Sequence, residues 1–105
     1  MPGEKAEKSG IDPNRPMVAL TFDDGPHAPV TNRILDSLEA NGGCATFFMV
    51  GNRVKGKANT AAVARMTALG CEVANHTYEH KAITKLSAAG IQSQLEHTDE
   101  LIGMP

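Results

Sequence analysis

Four side chains, in two places in the sequence, have the types and spacing of a metal site with a base beside it. Asp23 and Asp24 follow a short apolar run, and His76 and His80 stand four residues apart after another strand-like segment. Two imidazoles and one carboxylate can bind a divalent transition metal and leave other positions open for water and substrate. That ligand set needs only one of the aspartates, so the other is free to accept a proton.

Each of the two segments has an ordinary explanation when it is considered alone. Asp23-Asp24-Gly25-Pro26 is typical of a turn, because Asp accepts backbone hydrogen bonds, Gly adopts positive φ and Pro ends a strand. Two histidines four residues apart are more often solvated surface residues than metal ligands. The metal hypothesis therefore depends on whether the fold brings the two segments together.

The pattern of apolar residues predicts strands and helices in alternation. Two nearly continuous apolar runs, 17–22 and 45–50, predict strands that are buried on both faces, and a shorter strand is predicted at 71–75. Apolar residues at helical spacing predict three helices, at 29–41, from Thr60 to Gly70 and from Ser87 to Gly103. This βαβαβα order predicts an α/β fold with about three parallel β/α units.

Such a fold would bring the candidate site residues to one place. Parallel strands that are joined by crossover helices have their carboxyl ends at the same edge of the sheet. Asp23 and Asp24 follow the first predicted strand and His76 follows the third, so we expect them to meet there. His76 and His80 are expected to share one face of a helical turn, with Cβ atoms about 5 to 6 Å apart. His27 is expected to line the site, and His97, in a charged helical segment, is expected to be solvated.

Length and charge exclude several classes of protein. The chain has 105 residues, whereas a complete eight-fold β/α barrel needs about 250. A formal net charge of −2 argues against a nucleic-acid partner, and no apolar stretch approaches the roughly 20 residues of a membrane span. Residues 1–16 are polar and broken by Pro and Gly, which predicts a flexible lead-in, and they lack the apolar core of a signal peptide. Cys44 and Cys71 each begin a strand and are expected to be small buried thiols.

The two candidate segments also resemble the signature motifs of a known family. Thr21-Phe22-Asp23-Asp24-Gly25-Pro26 and His76-Thr77-Tyr78-Glu79-His80 resemble the first two motifs of the polysaccharide deacetylases with a NodB homology domain, carbohydrate esterase family 4. Residues 45–48 and 70–76 are similar to family segments as well, so the resemblance covers about 17–104. It implies that Asp23 is the general base and that Asp24, His76 and His80 hold one divalent metal ion, zinc with cobalt or nickel as alternatives. Thr77 would brace the loop that carries the histidines.

The resemblance implies a partial, truncated form of a distorted β/α barrel, with residues 17–105 as the N-terminal part of a deacetylase domain. Three further family motifs would follow: an Arg-x-Pro-Tyr-like segment, an Asp/Trp-containing segment and a Leu-x-His segment that supplies the catalytic acid. The implied function is metal-dependent hydrolysis of N-acetyl groups on polysaccharides or oligosaccharides that contain N-acetylglucosamine, of the peptidoglycan or chitin type. The implied location is extracellular or at the cell surface. Without the downstream acid, we expect these 105 residues to be weakly active or inactive.

Two alternative functions fit the same motifs. One is O-deacetylation of the acetylxylan esterase type, which the two motifs do not separate from N-deacetylation. The other is a catalytically inert, metal-binding fragment whose main behaviour is self-association. Half a barrel leaves apolar helix faces and an unpaired sheet edge exposed, so self-association through that edge is expected.

Overall fold

A computed structural model of the chain describes residues 14–103. Most of the predicted flexible lead-in, residues 1–13, lies outside the described residues. Within the described residues, three strands alternate with three α-helices: β1 (Thr21–Gly25), α1 (Ala28–Asn41), β2 (Thr46–Met49), α2 (Lys57–Ala68), β3 (Glu72–Asn75) and α3 (Ala88–Ile102). Two 3-10 turns, Gly51–Arg53 and Ile83–Lys85, follow β2 and precede α3. The predicted α/β alternation is confirmed.

The strands form one open, parallel sheet in the order β1-β2-β3. Thr21 pairs with Thr46 and Thr46 pairs with Glu72, so the three strands start level with one another. Because all three run in the same direction, their carboxyl ends lie at one edge of the sheet. The segments that carry the candidate site residues leave the sheet at this edge.

The helices cover one face of the sheet. Phe47 and Met49 of β2 are buried there in a cluster that includes Leu35 of α1, Met66 of α2 and Ile102 of α3. Side chains alternate across a strand, so the intervening residues of β2 point to the opposite face, where they are only half-buried. The prediction that the first two strands are buried on both faces is therefore wrong, because the described helices pack on one face only.

The first strand lies further along the chain than its apolar run predicts. It spans Thr21–Gly25, and the residues before it are exposed, with Val18 at 88%. β2 begins at Thr46, whose amide donates to the Leu20 carbonyl at 3.0 Å. Residues 17–19 therefore lie before the start of β2 and have no part of it to pair with. As a result, the two aspartates lie inside β1 and not after it.

Several helix ends can be predicted from residues that are close in sequence. α1 ends at Gly42 and α3 ends at Gly103, both with positive φ, and the Ser87 hydroxyl accepts from the Gly90 amide at the start of α3. The prediction that Thr60 caps the second helix is wrong. Gly56, at φ 80°, starts α2 one turn earlier, and the Thr60 amide donates to the Gly56 carbonyl inside the helix.

The two cysteines differ in their environment. Cys71 is buried in the core cluster, as predicted, whereas Cys44 is exposed and the prediction for it is wrong. Cys44 lies two residues before β2, where the chain has not yet entered the sheet. Among residues 14–103, no helix has both the length and the apolar character that crossing a membrane requires.

Candidate metal centre

Asp24, His76 and His80 come together at the carboxyl edge of the sheet. Asp24 Oδ1 lies 3.1 Å from His76 Nε2 and 3.2 Å from His80 Nε2. One ligand atom from each of the three residues lies within 4.8 Å of the others, and the two imidazole rings are 4.8 Å apart between centroids. Within residues 14–103, this is the one group of three His, Cys, Asp or Glu side chains with such spacing.

A β-bulge in β1 orients the two aspartates. Asp23 pairs with Phe48 and Gly25 pairs with Met49, so Asp24 is an extra residue without a partner in β2. Asp24 has φ 72°, a left-handed conformation that Asp tolerates better than most residues. Bulges of this kind redirect a side chain and are common beside active sites. Both aspartates are among the residues that line an open cavity of about 480 Å³.

Asp23 lies on the face of the sheet that the helices leave open. Its partner in the register, Phe48, points to that face, and paired residues of parallel strands share a face. Asp23 is exposed, and its carboxylate makes no hydrogen bond or ion pair with another of the described residues. It is therefore free to contact water or a ligand on this face of the sheet.

The histidines are held by a loop and not by a helical turn, so that part of the prediction is wrong. Thr77 has φ 65° and His80 has φ 60°. Left-handed backbone at a residue other than glycine costs roughly 1–3 kcal/mol and persists only where the surroundings fix it. The Thr77 hydroxyl accepts from the His80 amide at 3.0 Å, which is the bracing contact that the family resemblance implies.

Two neighbouring elements fix this histidine loop, residues 76–80. The 3-10 turn after β2 donates from the Gly51 amide to the Thr77 carbonyl at 2.8 Å and from the Asn52 amide to the Tyr78 carbonyl at 2.9 Å. Asn75, the last residue of β3, accepts from the Thr77 amide at 2.8 Å and donates to the Leu95 carbonyl of α3 at 2.8 Å. The loop is thus tied to the sheet on one side and to α3 on the other.

Arg53 is a site residue that the sequence analysis missed. Its guanidinium donates to the Asp24 carbonyl at 2.6 Å, which fixes the backbone of the bulge. Asn59 holds the Arg53 carbonyl at 3.0 Å and accepts from the Ala28 amide at 2.9 Å, so it links this turn to the start of α1. Its position in the sequence is the feature that could have indicated this, because a residue just after β2 lies at the same edge of the sheet as the aspartates.

The other candidate residues lie around this centre. His27 is exposed and lines the cavity that contains Asp23, as expected. His97 is exposed, as expected, but its ring also stacks on the Tyr78 ring at 4.1 Å. Phe48 contacts the His76 ring edge-on at 6.5 Å between centroids, an aromatic neighbour that the sequence analysis did not identify.

Charge beside the histidine loop is balanced locally. The Lys81 ammonium lies 2.8 Å from the Glu79 carboxylate, and the Gln94 side chain donates to Glu79 at 3.1 Å. These hydrogen bonds, with Lys81 the larger cause, hold the pKa of Glu79 below its ordinary value. Glu79 therefore stays ionised next to His80.

The donor set fits a divalent transition metal. Two neutral imidazole nitrogens and one carboxylate oxygen are ligands that zinc, cobalt and nickel accept. Both Nε2 atoms converge on the same carboxylate oxygen, and Asp24 and His80 are exposed. The arrangement is that of a three-residue site with room for further ligands on its open side.

Comparison with known proteins shows the family of the chain. The family model for polysaccharide deacetylase matches residues 10–104. The peptidoglycan-N-acetylmuramic acid deacetylase PdaC of Bacillus subtilis is 45% identical over 92 residues, which cover 88% of this chain and 19% of that protein. The solved structure of PdaC superposes with a TM-score of 0.82 at 43% identity, over 88% of this chain and 45% of the solved one.

Two further relatives are named for other polymers. The chitin deacetylase of Colletotrichum lindemuthianum is 41% identical over 87 residues, 80% of this chain and 35% of that protein. A family 4 acetyl xylan esterase from Clostridium thermocellum, solved in complex with a cobalt ion, matches with a TM-score of 0.75 at 37% identity, over 80% of this chain and 40% of the other. The chain spans less than half the length of each of these relatives. Its three parallel β/α units match part of their barrel, and the chain belongs to the polysaccharide deacetylase family.

Proposed function

We propose that the protein hydrolyses N-acetyl groups on polysaccharides or oligosaccharides that contain N-acetylglucosamine, of the peptidoglycan or chitin type. In this proposal Asp24, His76 and His80 hold one divalent metal ion, zinc with cobalt or nickel as alternatives, and Asp23 is the general base. The observation that carries it is the approach of both histidine Nε2 atoms to the same Asp24 oxygen, at 3.1 and 3.2 Å. The relatives named above support the reaction class.

The chain's own residues account for the first half of such a reaction. A divalent cation supplies Lewis acidity, which polarises an acyl oxygen and makes water more acidic. Asp23, with an unpartnered carboxylate on the open face, accepts the proton of the attacking water. Arg53 and the bulge at Asp24 keep the two carboxylates in place without occupying the Asp23 oxygens.

The second half requires a proton for the departing amine. Attack on the acetamide carbon and cleavage of its C–N bond release acetate and an amine, which must be protonated as it leaves. By the family resemblance, the acid for this step belongs to a motif downstream of the residues present. Loss of a general acid costs on the order of 10²- to 10⁴-fold in rate. We therefore propose that these 105 residues by themselves turn over substrate slowly or not at all.

The remaining assignments follow from the same proposal. Residues 17–105 form the N-terminal part of the deacetylase domain, and the acetamido group binds on the open face of the sheet beside the Asp23 carboxylate. Because the relatives include proteins named for peptidoglycan and chitin, the polymer is a component of a cell wall. Action outside the cell or at its surface follows from such a substrate.

Zinc titration tests the metal site directly. Isothermal titration of the metal-free protein should give one zinc per chain, and His80→Ala or Asp24→Asn should abolish or greatly weaken binding. Asp36→Asn is the matched control for Asp24→Asn, because Asp36 is an exposed carboxylate that pairs with Arg65 outside the cluster, so the affinity should be unchanged. Absence of zinc binding by the wild type, or equal effects of Asp24→Asn and Asp36→Asn, would contradict the proposal.

A second candidate function is an inert, metal-binding fragment that self-associates. The observation in its favour is the open edge of β1 together with exposed apolar residues, Met17, Val18, Leu20 and Val30. Light scattering should then show dimers or larger species that dissociate on Leu20→Lys. A monodisperse monomer would count against self-association through this edge.

Acetate release separates the catalytic alternatives. Turnover of an acetylated chito-oligosaccharide in preference to acetylated xylan would support N-deacetylation. The reverse preference would favour the O-deacetylase alternative, which the acetyl xylan esterase relative keeps open. Zinc binding without release of acetate from either substrate is expected both of the inert fragment and of a deacetylase domain without its acid, so the light-scattering result separates those two.

A further inference from the structure

Gln94 connects α3 to the histidine loop through both ends of its side chain. Its Oε1 atom accepts from the Tyr78 amide at 3.0 Å and from the Glu79 amide at 2.9 Å. Its Nε2 atom donates to the Glu79 carboxylate at 3.1 Å. Gln94 is half-buried, so these bonds are partly shielded from water.

The two amides that Gln94 holds lie at the most strained part of the loop. Tyr78 and Glu79 stand between Thr77 and His80, both of which have positive φ. Among the described residues, no other group accepts a hydrogen bond from these two amides. Such backbone persists only where its surroundings determine it, and Gln94 is one of the groups that surround the bend between the two histidines.

The helix that carries Gln94 is itself fixed to the sheet edge. The Thr98 hydroxyl donates to the Gln94 carbonyl at 2.9 Å, and Thr98 is fully buried against Gly51. One turn of α3 from Gln94, the His97 ring stacks on the Tyr78 ring. The loop therefore contacts α3 at Gln94 and His97, and Thr98 packs this part of the helix against the turn after β2.

We propose that Gln94 is a positioning residue for the metal centre, which sets the separation of the His76 and His80 imidazoles by fixing the backbone between them. This inference rests on the proposed function, since it assigns Gln94 to the metal site described above. Gln94 makes no hydrogen bond with the three ligand side chains. Its effect is to reduce the reorganisation that the loop undergoes when a metal binds.

The test compares two substitutions on the same helix. Gln94→Met keeps the length and the helix propensity of the side chain but removes both of its hydrogen-bonding ends. Gln92→Met is the matched control, because Gln92 is exposed and bonds only to Glu96 of its own helix. We expect Gln94→Met to weaken zinc affinity about 10-fold, at the lower end of the range for groups that orient metal ligands, and Gln92→Met to leave it unchanged.

A rescue and an exchange measurement exclude a general structural effect. The double variant Gln94→Glu, Glu79→Gln exchanges the donor and acceptor ends of the pair. A carboxylate at position 94 can still accept hydrogen bonds from the Tyr78 and Glu79 amides. Zinc affinity should therefore recover from the value in Gln94→Met towards that of the wild type. Amide hydrogen exchange of the metal-free wild type should show Tyr78 and Glu79 protected, and Gln94→Met should remove that protection.

The outcomes separate this inference from the proposed function. The role of Gln94 would be overturned if Gln94→Met binds zinc as tightly as the wild type, or if Gln92→Met loses as much affinity. It would also be overturned if the double variant does not recover the affinity. Unprotected Tyr78 and Glu79 amides in the wild type would overturn it even if Gln94→Met does not fold. Failure of the wild type to bind zinc would instead remove the proposed metal site, whatever the exchange data show.

Discussion

Gly51 lies where the turn after β2 passes beneath the histidine loop and α3, and it has no room for a side chain. A Cβ atom at this position would lie 2.5 Å from Thr98 Oγ1 and 2.8 Å from Tyr78 Cδ2. Neither atom is free to move, because Thr98 is fully buried and the Tyr78 ring is stacked on His97. The Gly51 amide also donates to the Thr77 carbonyl at 2.8 Å, so any shift of position 51 displaces the loop.

The structure sets the size of the expected effect of Gly51→Ala. Forcing an extra carbon into a packed site costs roughly 1–3 kcal/mol, and two contacts below 3.0 Å place this substitution near the upper end of that range. The same displacement should weaken zinc binding. Gly43→Ala is the matched control, because a Cβ there would lie 3.4 Å from Leu38, an ordinary contact. Its free energy of unfolding should change by less than about 1 kcal/mol.

Urea denaturation of the metal-free protein, followed by circular dichroism, measures both variants. In a Thr98→Ala background the closest clash is removed, so Gly51→Ala should cost less there than in the wild type. This coupling is expected because the two residues are in contact. The reasoning is refuted if Gly51→Ala is as stable as Gly43→Ala, or if its cost is the same in both backgrounds.

Two further predictions concern single side chains at the site. Asp23→Asn should leave zinc affinity unchanged but lower any acetate release by roughly 100-fold or more. A parallel loss of zinc affinity would show that Asp23 is a ligand and not the base. Glu79 has a lowered pKa in the folded chain, so its contribution to stability is present above its ordinary value of 4.5 and is lost as pH falls through the lower folded value. The acid-induced loss of stability should therefore be smaller in Glu79→Gln over that window, and identical acid transitions would contradict the assigned cause.

Local sequence was sufficient for the order of the elements and for several of their ends. The apolar spacing of α1 and α3 and their terminal glycines correspond to the observed helices, because caps and amphipathic faces depend on residues close in sequence. The start of β1 was predicted four residues too early, since pairing is decided by where β2 begins and not by the apolar run itself. The prediction of Thr60 as a helix cap fails because α2 already begins after Gly56, one turn earlier.

The sequence by itself determined which side chains could form the centre and that parallel strands would deliver them to one edge. Residue type and strand order are enough for this, because a parallel sheet has only one carboxyl edge. Tertiary structure decided how they meet: a bulge at Asp24, a loop with positive φ at Thr77 and His80, and supports from Arg53 and Gln94. These depend on contacts between residues far apart in the chain, and no periodicity or spacing in the sequence encodes such contacts.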